Sequence, residues 1–164
     1  MMKKRIHDRI NIKEIKKLSL NDYRVGGCTA LIDAIGNNIN HIENIHKYIR
    51  KEDVPNKVLF VISTDGLENA SSNFSSDDVK RMIKQKQEIG WEFLFLGANI
   101  DSVETANLYG IRKERAVNYH NDKRGIEAQF KAVSNFANLM NKRKSVDSDE
   151  WRKEVDEDYN SRKK

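Results

Sequence analysis

The sequence predicts an α/β protein with an open, mainly parallel sheet and flanking helices. Two short, mainly apolar runs, Val58 to Ile62 and Glu92 to Leu96, are typical of strands buried on both faces of a parallel sheet. Segments of helix length precede, separate and follow these runs, and strands arranged in this way are joined by right-handed crossovers. Ligands of such sheets bind outside the carboxyl ends of the strands, so the turn after each run is a candidate site.

The first half of the chain begins with a predicted short amphipathic strand over residues 5–15, where isoleucines alternate with polar residues. A glycine-containing loop follows at Tyr23 to Cys28. A long amphipathic helix then runs from Thr29 to about Arg50, because apolar residues recur at intervals of three and four. These residues are Leu31, Ile35, Ile39, Ile42, Ile45 and Ile49. The segment Lys51 to Lys57, which holds the only proline, connects this helix to the first buried strand.

The second half continues the alternation of strands and helices. Ser75 with Asp78, and Asp101 with Glu104, have the spacing of N-terminal capping pairs, and Gly90 marks a helix end. The predicted elements are a helix from about Asp77 to Ile89, the strand Glu92 to Leu96, a short helix from Asp101 to Gly110, an edge strand at Ala116 to Tyr119 and a helix from Gly125 to Met140.

We expect one domain over residues 1–140 and a charged tail over residues 141–164. The tail has few apolar residues, so it is expected to be frayed in isolation. These apolar residues are Val146, Trp151, Val155 and Tyr159.

Composition argues against two classes of partner. The net charge is +5, but residues 1–24 carry eight Lys and Arg against three Asp and Glu, whereas residues 25–140 carry 14 against 15. A basic stripe on the folded body, expected of a nucleic-acid-binding protein, is therefore not predicted. No apolar stretch reaches the roughly 20 residues that span a bilayer. Cys28 is the only cysteine, which fits a reducing compartment, and it is interpreted as a small packing residue. Because no stretch could span a membrane, we expect a cytoplasmic protein without a membrane partner.

Two polar residues beside predicted elements have the chemistry of ligands for a hard divalent cation. Thr29 offers a hydroxyl at the start of the long helix, and Asp65 offers a carboxylate between a buried strand and Gly66. Each also has a purely structural explanation. A threonine in this position is a common helix N-cap, and Asp-Gly is a common turn dipeptide.

The order Gly-Cys-Thr-Ala-Leu-Ile-Asp-Ala-Ile at residues 27–35, a buried strand, and Thr-Asp-Gly-x-Glu-Asn at residues 64–69 resembles the von Willebrand factor type A domain. The resemblance extends from about Arg5 to about Met140. It implies a Rossmann-like sheet with a divalent cation, usually Mg²⁺, in a metal-ion-dependent adhesion site. By this resemblance Thr29 and Asp65 would be metal ligands, and the site-adjacent residues would be Gly27, Cys28, Thr64, Gly66, Glu68 and Asn69. Glu68 and Asn69 either orient the site or cap the next helix.

The family's main motif, Asp-x-Ser-x-Ser at the end of the first strand, has no match in this chain, because no Ser has an Asp two positions before it. The chain resembles the family from its third strand onward. The favoured interpretation is an N-terminally truncated or mis-started domain, and the alternative is half of a site that another chain completes.

Two expectations follow from the missing motif. Thr29 and Asp65 provide one neutral and one anionic ligand, too few to remove water from Mg²⁺ or Mn²⁺, so this chain alone should bind metal weakly or not at all. The strand Val58 to Ile62 should present an unpaired edge, which invites strand addition or self-association.

The leading functional hypothesis is a non-enzymatic protein-interaction module of von Willebrand factor A type. Its unknown protein partner would bind through an acidic side chain that reaches an ion near Thr29 and Asp65. One alternative is a metal-dependent α/β hydrolase that uses Asp65, although no general base or nucleophile is identifiable for it. Another alternative is an inactive truncated remnant. The four histidines are scattered, at residues 7, 41, 46 and 120, and are interpreted as surface residues.

Overall fold

The computed structural model contains a three-stranded parallel sheet in the order β1-β2-β3 and describes residues 6–17, 19, 28–142 and 149–162. The strands are β1 (Leu59–Thr64), β2 (Glu92–Gly97) and β3 (Ala116–Asn118). The register between β1 and β2 places Leu59 beside Glu92 and Thr64 beside Gly97. The predicted α/β class with an open parallel sheet and flanking helices is confirmed.

Five α-helices lie in the part of the chain that the structure describes. They are α1 (Leu31–Tyr48), α2 (Ser76–Glu88), α3 (Ser102–Leu108), α4 (Lys123–Asn141) and α5 (Lys153–Ser161). Short 3-10 turns occur at Ile12–Glu14, Lys51–Asp53, Lys113–Arg115 and Asp149–Trp151.

The predicted capping chemistry fixes where α2 and α3 begin. Ser75 and Asp78 form a reciprocal capping box, and Asp101 accepts hydrogen bonds from the first-turn N–H groups of α3. Gly90 follows α2 with a φ of +88°, a left-handed conformation that glycine adopts without a steric penalty. Asp122 caps α4, a role that the sequence analysis did not assign to it.

Two hydrophobic cores cover the two faces of the sheet. Helices α1, α2 and α3 pack on one face, where Ile62, Phe93 and Phe95 are buried. Helices α4 and α5 pack on the other face over Leu94 and Leu96. The central strand β2 is therefore buried on both faces, as its apolar run predicted.

Strand β1 is less buried than its sequence predicted. Val61 and Ser63 are exposed, because β1 lies at the edge of the sheet and none of the described residues pairs with its outer side. This finding agrees with the expected unpaired edge. It corrects the expectation that the run is buried on both faces.

The predicted N-terminal strand is wrong for the residues that the structure describes. Residues 6–17 contain a 3-10 turn at Ile12–Glu14 and no strand, and their isoleucines are exposed. The segment contacts α1 through a 3.0 Å hydrogen bond between Asp8 and the His41 ring. Alternation of apolar residues was a poor guide here because a strand needs a neighbour with which to pair.

The C-terminal tail differs most from expectation. Trp151 and Val155 are buried in the core beneath α4, and the Trp151 ring meets Phe136 edge-on with 5.2 Å between ring centroids. Ion pairs join Arg162 to both Asp122 and Asp158. The expectation of a frayed tail is therefore wrong for residues 149–162, which form part of the second core.

Candidate functional site at the carboxyl edge of the sheet

Thr29 and Asp65, the two residues predicted to be metal ligands, lie on neighbouring segments. Asp65 follows β1 directly, and the Thr29 hydroxyl oxygen is 3.6 Å from the position that a Cβ atom on Gly66 would occupy. A side chain at residue 66 would therefore contact the Thr29 hydroxyl. The structure brings together Thr29 and the Asp65-Gly66 turn, whereas Gly27 lies outside the described residues.

Glu68 and Asn69 attach the loop after β1 to the start of α1. The backbone N–H of Thr29 donates to the Asn69 side chain at 2.8 Å, and the Asn69 N–H donates back to the Thr29 carbonyl at 3.0 Å. The Glu68 carboxylate accepts from the N–H of Ile32 at 2.8 Å and from the N–H groups of Ala70 and Ser71. These two residues therefore hold α1, while the next helix has its own cap at Ser75.

Asp33 completes the connection from the helix side. It is only 3% exposed and accepts hydrogen bonds from the backbone N–H groups of Ser72, Asn73 and Phe74. Its own N–H donates to the Ser71 hydroxyl at 2.9 Å. A buried carboxylate with several N–H partners is satisfied and fixes the backbone around it.

We call this set of contacts the α1–loop clamp. It consists of Thr29, Ile32 and Asp33 on the helix side and residues 68–74 on the loop side. Sequence reasoning did not identify Asp33 as part of the site. The available signal was a carboxylate in the first turn of α1, followed about 40 residues later by a segment rich in Ser and Asn.

Glycine is required where the clamp brings α1 against the loop. A Cβ atom on Gly36 would lie 2.8 Å from the Phe74 ring, closer than carbon atoms normally approach. The Phe74 ring therefore packs directly over the helix backbone at this point.

The Asp65 carboxylate is exposed and, among the described residues, accepts a hydrogen bond from the Asn121 amide at 3.3 Å. Thr64 is buried, and its hydroxyl donates to the Gly66 carbonyl at 2.8 Å, which stabilises the turn. Cys28 is exposed and is not the packing residue that the sequence suggested. The Asp65 carboxylate thus lies at the surface of the turn, and Thr29 is half-buried beside it.

The pKa of the Glu68 carboxyl is lowered by its contacts in the clamp. Partial burial raises the pKa of Glu68, but the hydrogen bonds from Ile32, Ser71 and Ala70 outweigh that effect, so its pKa lies below the ordinary value. Burial, together with the nearby negative charge of Glu68, raises the pKa of the Tyr109 hydroxyl. The lowered pKa keeps Glu68 ionised at neutral pH, where its carboxylate accepts these backbone hydrogen bonds.

The donor set does not fit a divalent cation. Thr29 and Asp65 offer one hydroxyl and one carboxylate, and the oxygens of Glu68 are occupied by the clamp. Within the described part of the chain, no three His, Cys, Asp or Glu side chains are grouped closely enough to hold a metal ion. Divalent cations in proteins generally take more oxygen ligands or keep several waters.

Comparison of the chain with protein-family models, with curated proteins and with solved structures found no significant match. The resemblance to the von Willebrand factor type A domain therefore depends on residues 27–35, the buried strand and residues 64–69 alone. Among the described residues, no helix has both the length and the apolar character needed to cross a membrane.

The clamp predicts a pH-dependent effect of Glu68→Gln. At neutral pH the variant should unfold more easily by about 1–3 kcal/mol, because the Gln amide turns a donor toward backbone N–H groups. Since the folded pKa of Glu68 is lowered, the unfolded chain binds the proton more readily, and the wild type loses this stabilisation as the pH falls below about 4.3. The difference between the two proteins in urea unfolding should therefore shrink in acid.

The matched control for this measurement is Glu88→Gln, at an exposed position near the end of α2. Its unfolding free energy should stay within about 0.5 kcal/mol of wild type. Equal stability of Glu68→Gln and wild type at neutral pH, or a difference that grows in acid, would contradict the role assigned to Glu68.

Proposed function

We propose that this chain is a non-enzymatic protein-interaction module of von Willebrand factor A type. Its partner contacts the carboxyl edge of the sheet at Thr29, Asp65 and Leu67. The observation that carries the proposal is the exposure of Asp65 and Leu67 on a turn that the α1–loop clamp holds against the half-buried Thr29 and the start of α1. A rigidly held, exposed turn loses little conformational freedom when it binds.

Leu67 gives this edge an apolar element beside the charge. Its side chain is 65% exposed, two residues from the Asp65 carboxylate. An apolar side chain beside a carboxylate offers a partner both apolar burial and a hydrogen bond. The partner surface proposed here has an apolar recess for Leu67 and a hydrogen-bond donor for Asp65.

Binding of an acidic partner through a shared cation is the less favoured form of this proposal. It requires Mg²⁺ or Mn²⁺ to be held by Thr29 and Asp65, and these residues are too few for a stable site. The proposed contact therefore uses the Asp65 carboxylate directly.

The hydrolase alternative has less support. The described hydrogen-bond partner of Asp65 is the Asn121 amide, which cannot accept a proton as a general base does. The inactive-remnant alternative predicts no partner at all, and photo-crosslinking from position 67 separates it from the proposal.

The proposal predicts that divalent cations hardly stabilise this chain. In millimolar Mg²⁺ or Mn²⁺ the melting temperature should rise by less than about 1 °C, because a ligand present below its dissociation constant adds little free energy. Asp65→Ala is the control and should respond in the same way. A rise of several degrees in the wild type that Asp65→Ala abolishes would contradict this prediction and indicate a functional metal site.

Photo-crosslinking tests the interaction itself. A benzophenone side chain at position 67 should form a defined adduct with one protein in an extract of the expressing cells. The control position is Leu108, which is 57% exposed at the far end of α3. The adduct should be absent from position 108 and at least about tenfold weaker in Asp65→Ala, as expected when a central polar contact is lost.

Three results would contradict the proposed function. Equal adducts from positions 67 and 108 would indicate non-specific contact, and no adduct from position 67 would favour the inactive-remnant alternative. Asp65-dependent hydrolysis of a phosphate ester or peptide would instead favour the hydrolase.

A further inference from the structure

The outer edge of β1 carries a regular set of outward-facing backbone groups. The carbonyls of Val58 and Thr64 accept hydrogen bonds from Glu92 and Ala98, each at 2.9 Å, so even-numbered residues of this segment face β2. Successive residues of a strand in a parallel ladder face opposite sides. The N–H and C=O groups of Leu59, Val61 and Ser63 therefore point away from the sheet. None of the described residues forms a strand on that side.

The side chains of the same odd-numbered residues face α4. The Ser63 hydroxyl donates to Gln129 at 3.1 Å, and the Lys57 ammonium group donates to the Met140 carbonyl. Because side chains alternate along a strand, Val61 lies on this face as well. It is 39% exposed, at the middle of the edge.

An exposed aromatic residue extends this apolar edge. Phe130 follows Gln129 in α4 and is 64% exposed. Helix α5 covers the flank of α4 that carries Lys131, which pairs with Glu154 of α5 at 2.6 Å. Helix α5 also lies toward β3, because Tyr159 of α5 stacks on His120, which follows β3. Phe130 therefore lies on the β1 side of α4.

The charges at the two ends of β1 are opposite and symmetrically placed. Lys57 lies four residues before Val61, and Asp65 lies four residues after it, with no charged residue between them. In an antiparallel pair of identical strands centred on Val61, Lys57 of each strand is directly opposite Asp65 of the other. Leu59 is then opposite Ser63, and Val61 is opposite Val61.

We propose that β1 pairs with β1 of a second copy of this chain, antiparallel and centred on Val61. The outward backbone groups of Leu59, Val61 and Ser63 then meet their counterparts as hydrogen-bonded pairs. The two three-stranded sheets form one six-stranded sheet with an isologous, closed interface. The pairing covers an edge that could otherwise pair with strands of other chains and lead to aggregation.

Lys57 and Asp65 favour this register over registers shifted along the strand. A shift of the centre by one residue in either direction places Lys57 opposite Ser63, or Leu59 opposite Asp65, and both ion pairs are lost. The two cross-strand ion pairs thus select one alignment from an otherwise apolar strand. The surfaces on both sides of the axis then carry Phe130 of each copy.

The first test is sedimentation equilibrium of the 164-residue protein, with a reductant present so that Cys28 cannot form disulfides. The expected result is a reversible monomer–dimer equilibrium. Val61→Lys should weaken the dimer at least about tenfold, because a charge at the centre of an edge blocks pairing. Val103→Lys is the matched control, since Val103 is 38% exposed on α3, and it should dimerise like wild type.

The second test uses charge reversal and reports the register. Lys57→Asp or Asp65→Lys alone places like charges opposite each other at both ends and should weaken the dimer by roughly three- to thirtyfold. The double variant Lys57→Asp/Asp65→Lys restores both pairs and should recover most of the wild-type affinity. Because each single variant keeps the apolar strand, this series remains informative even if Val61→Lys does not fold.

Three results would overturn the proposal. They are a wild-type protein that stays monomeric up to millimolar concentration, open-ended oligomers in place of dimers, and a double variant as weak as the single variants. These experiments use the purified chain alone, so their failure leaves the proposed partner contact at Asp65 and Leu67 unaffected. Where the dimer forms, Lys57 of the second copy and the partner compete for Asp65.

Discussion

The α1–loop clamp is the contact on which the position of every candidate site residue depends. The first N–H groups of a helix have no acceptor within the helix, and Glu68 and Ser71 supply acceptors for Ile32 and Asp33. In return, Asp33 accepts from three N–H groups of the loop. Each side satisfies groups that the other would leave buried and unpaired. The loop after β1 and the start of α1 are therefore held together, and they keep Thr29 beside the Asp65-Gly66 turn.

Local chemistry explains why much of the fold was predictable from sequence. The capping pair Ser75 and Asp78, the cap at Asp101 and the left-handed Gly90 each act within a few residues. The apolar run of β2 carried its own signal, because a central strand covered on both faces needs apolar residues at every position. The proximity of Thr29 and the Asp65-Gly66 turn was also expected, since both lie at the carboxyl edge of the sheet.

Contacts between distant residues explain what the sequence did not reveal. The partners of Asp33 are 39 to 41 residues away, so no local pattern shows that its carboxylate is buried and satisfied. Trp151 appears isolated in a charged tail, and its burial depends on Phe136 of α4. The exposure of Val61 depends on which strands lie beside β1, a property of topology that the composition of the strand does not encode.

Amide hydrogen exchange, measured in one sample with a metal chelator and in a second sample with Mg²⁺ and no chelator, tests the clamp most directly. The N–H groups of Ile32 and Asp33 lie in the first turn of α1, so only the clamp can protect them. They should exchange at least about a hundredfold more slowly than in an unfolded peptide, and added Mg²⁺ should leave the rates unchanged. Exchange at unfolded-peptide rates, or protection that appears only with Mg²⁺, would contradict a clamp built from this chain's own residues.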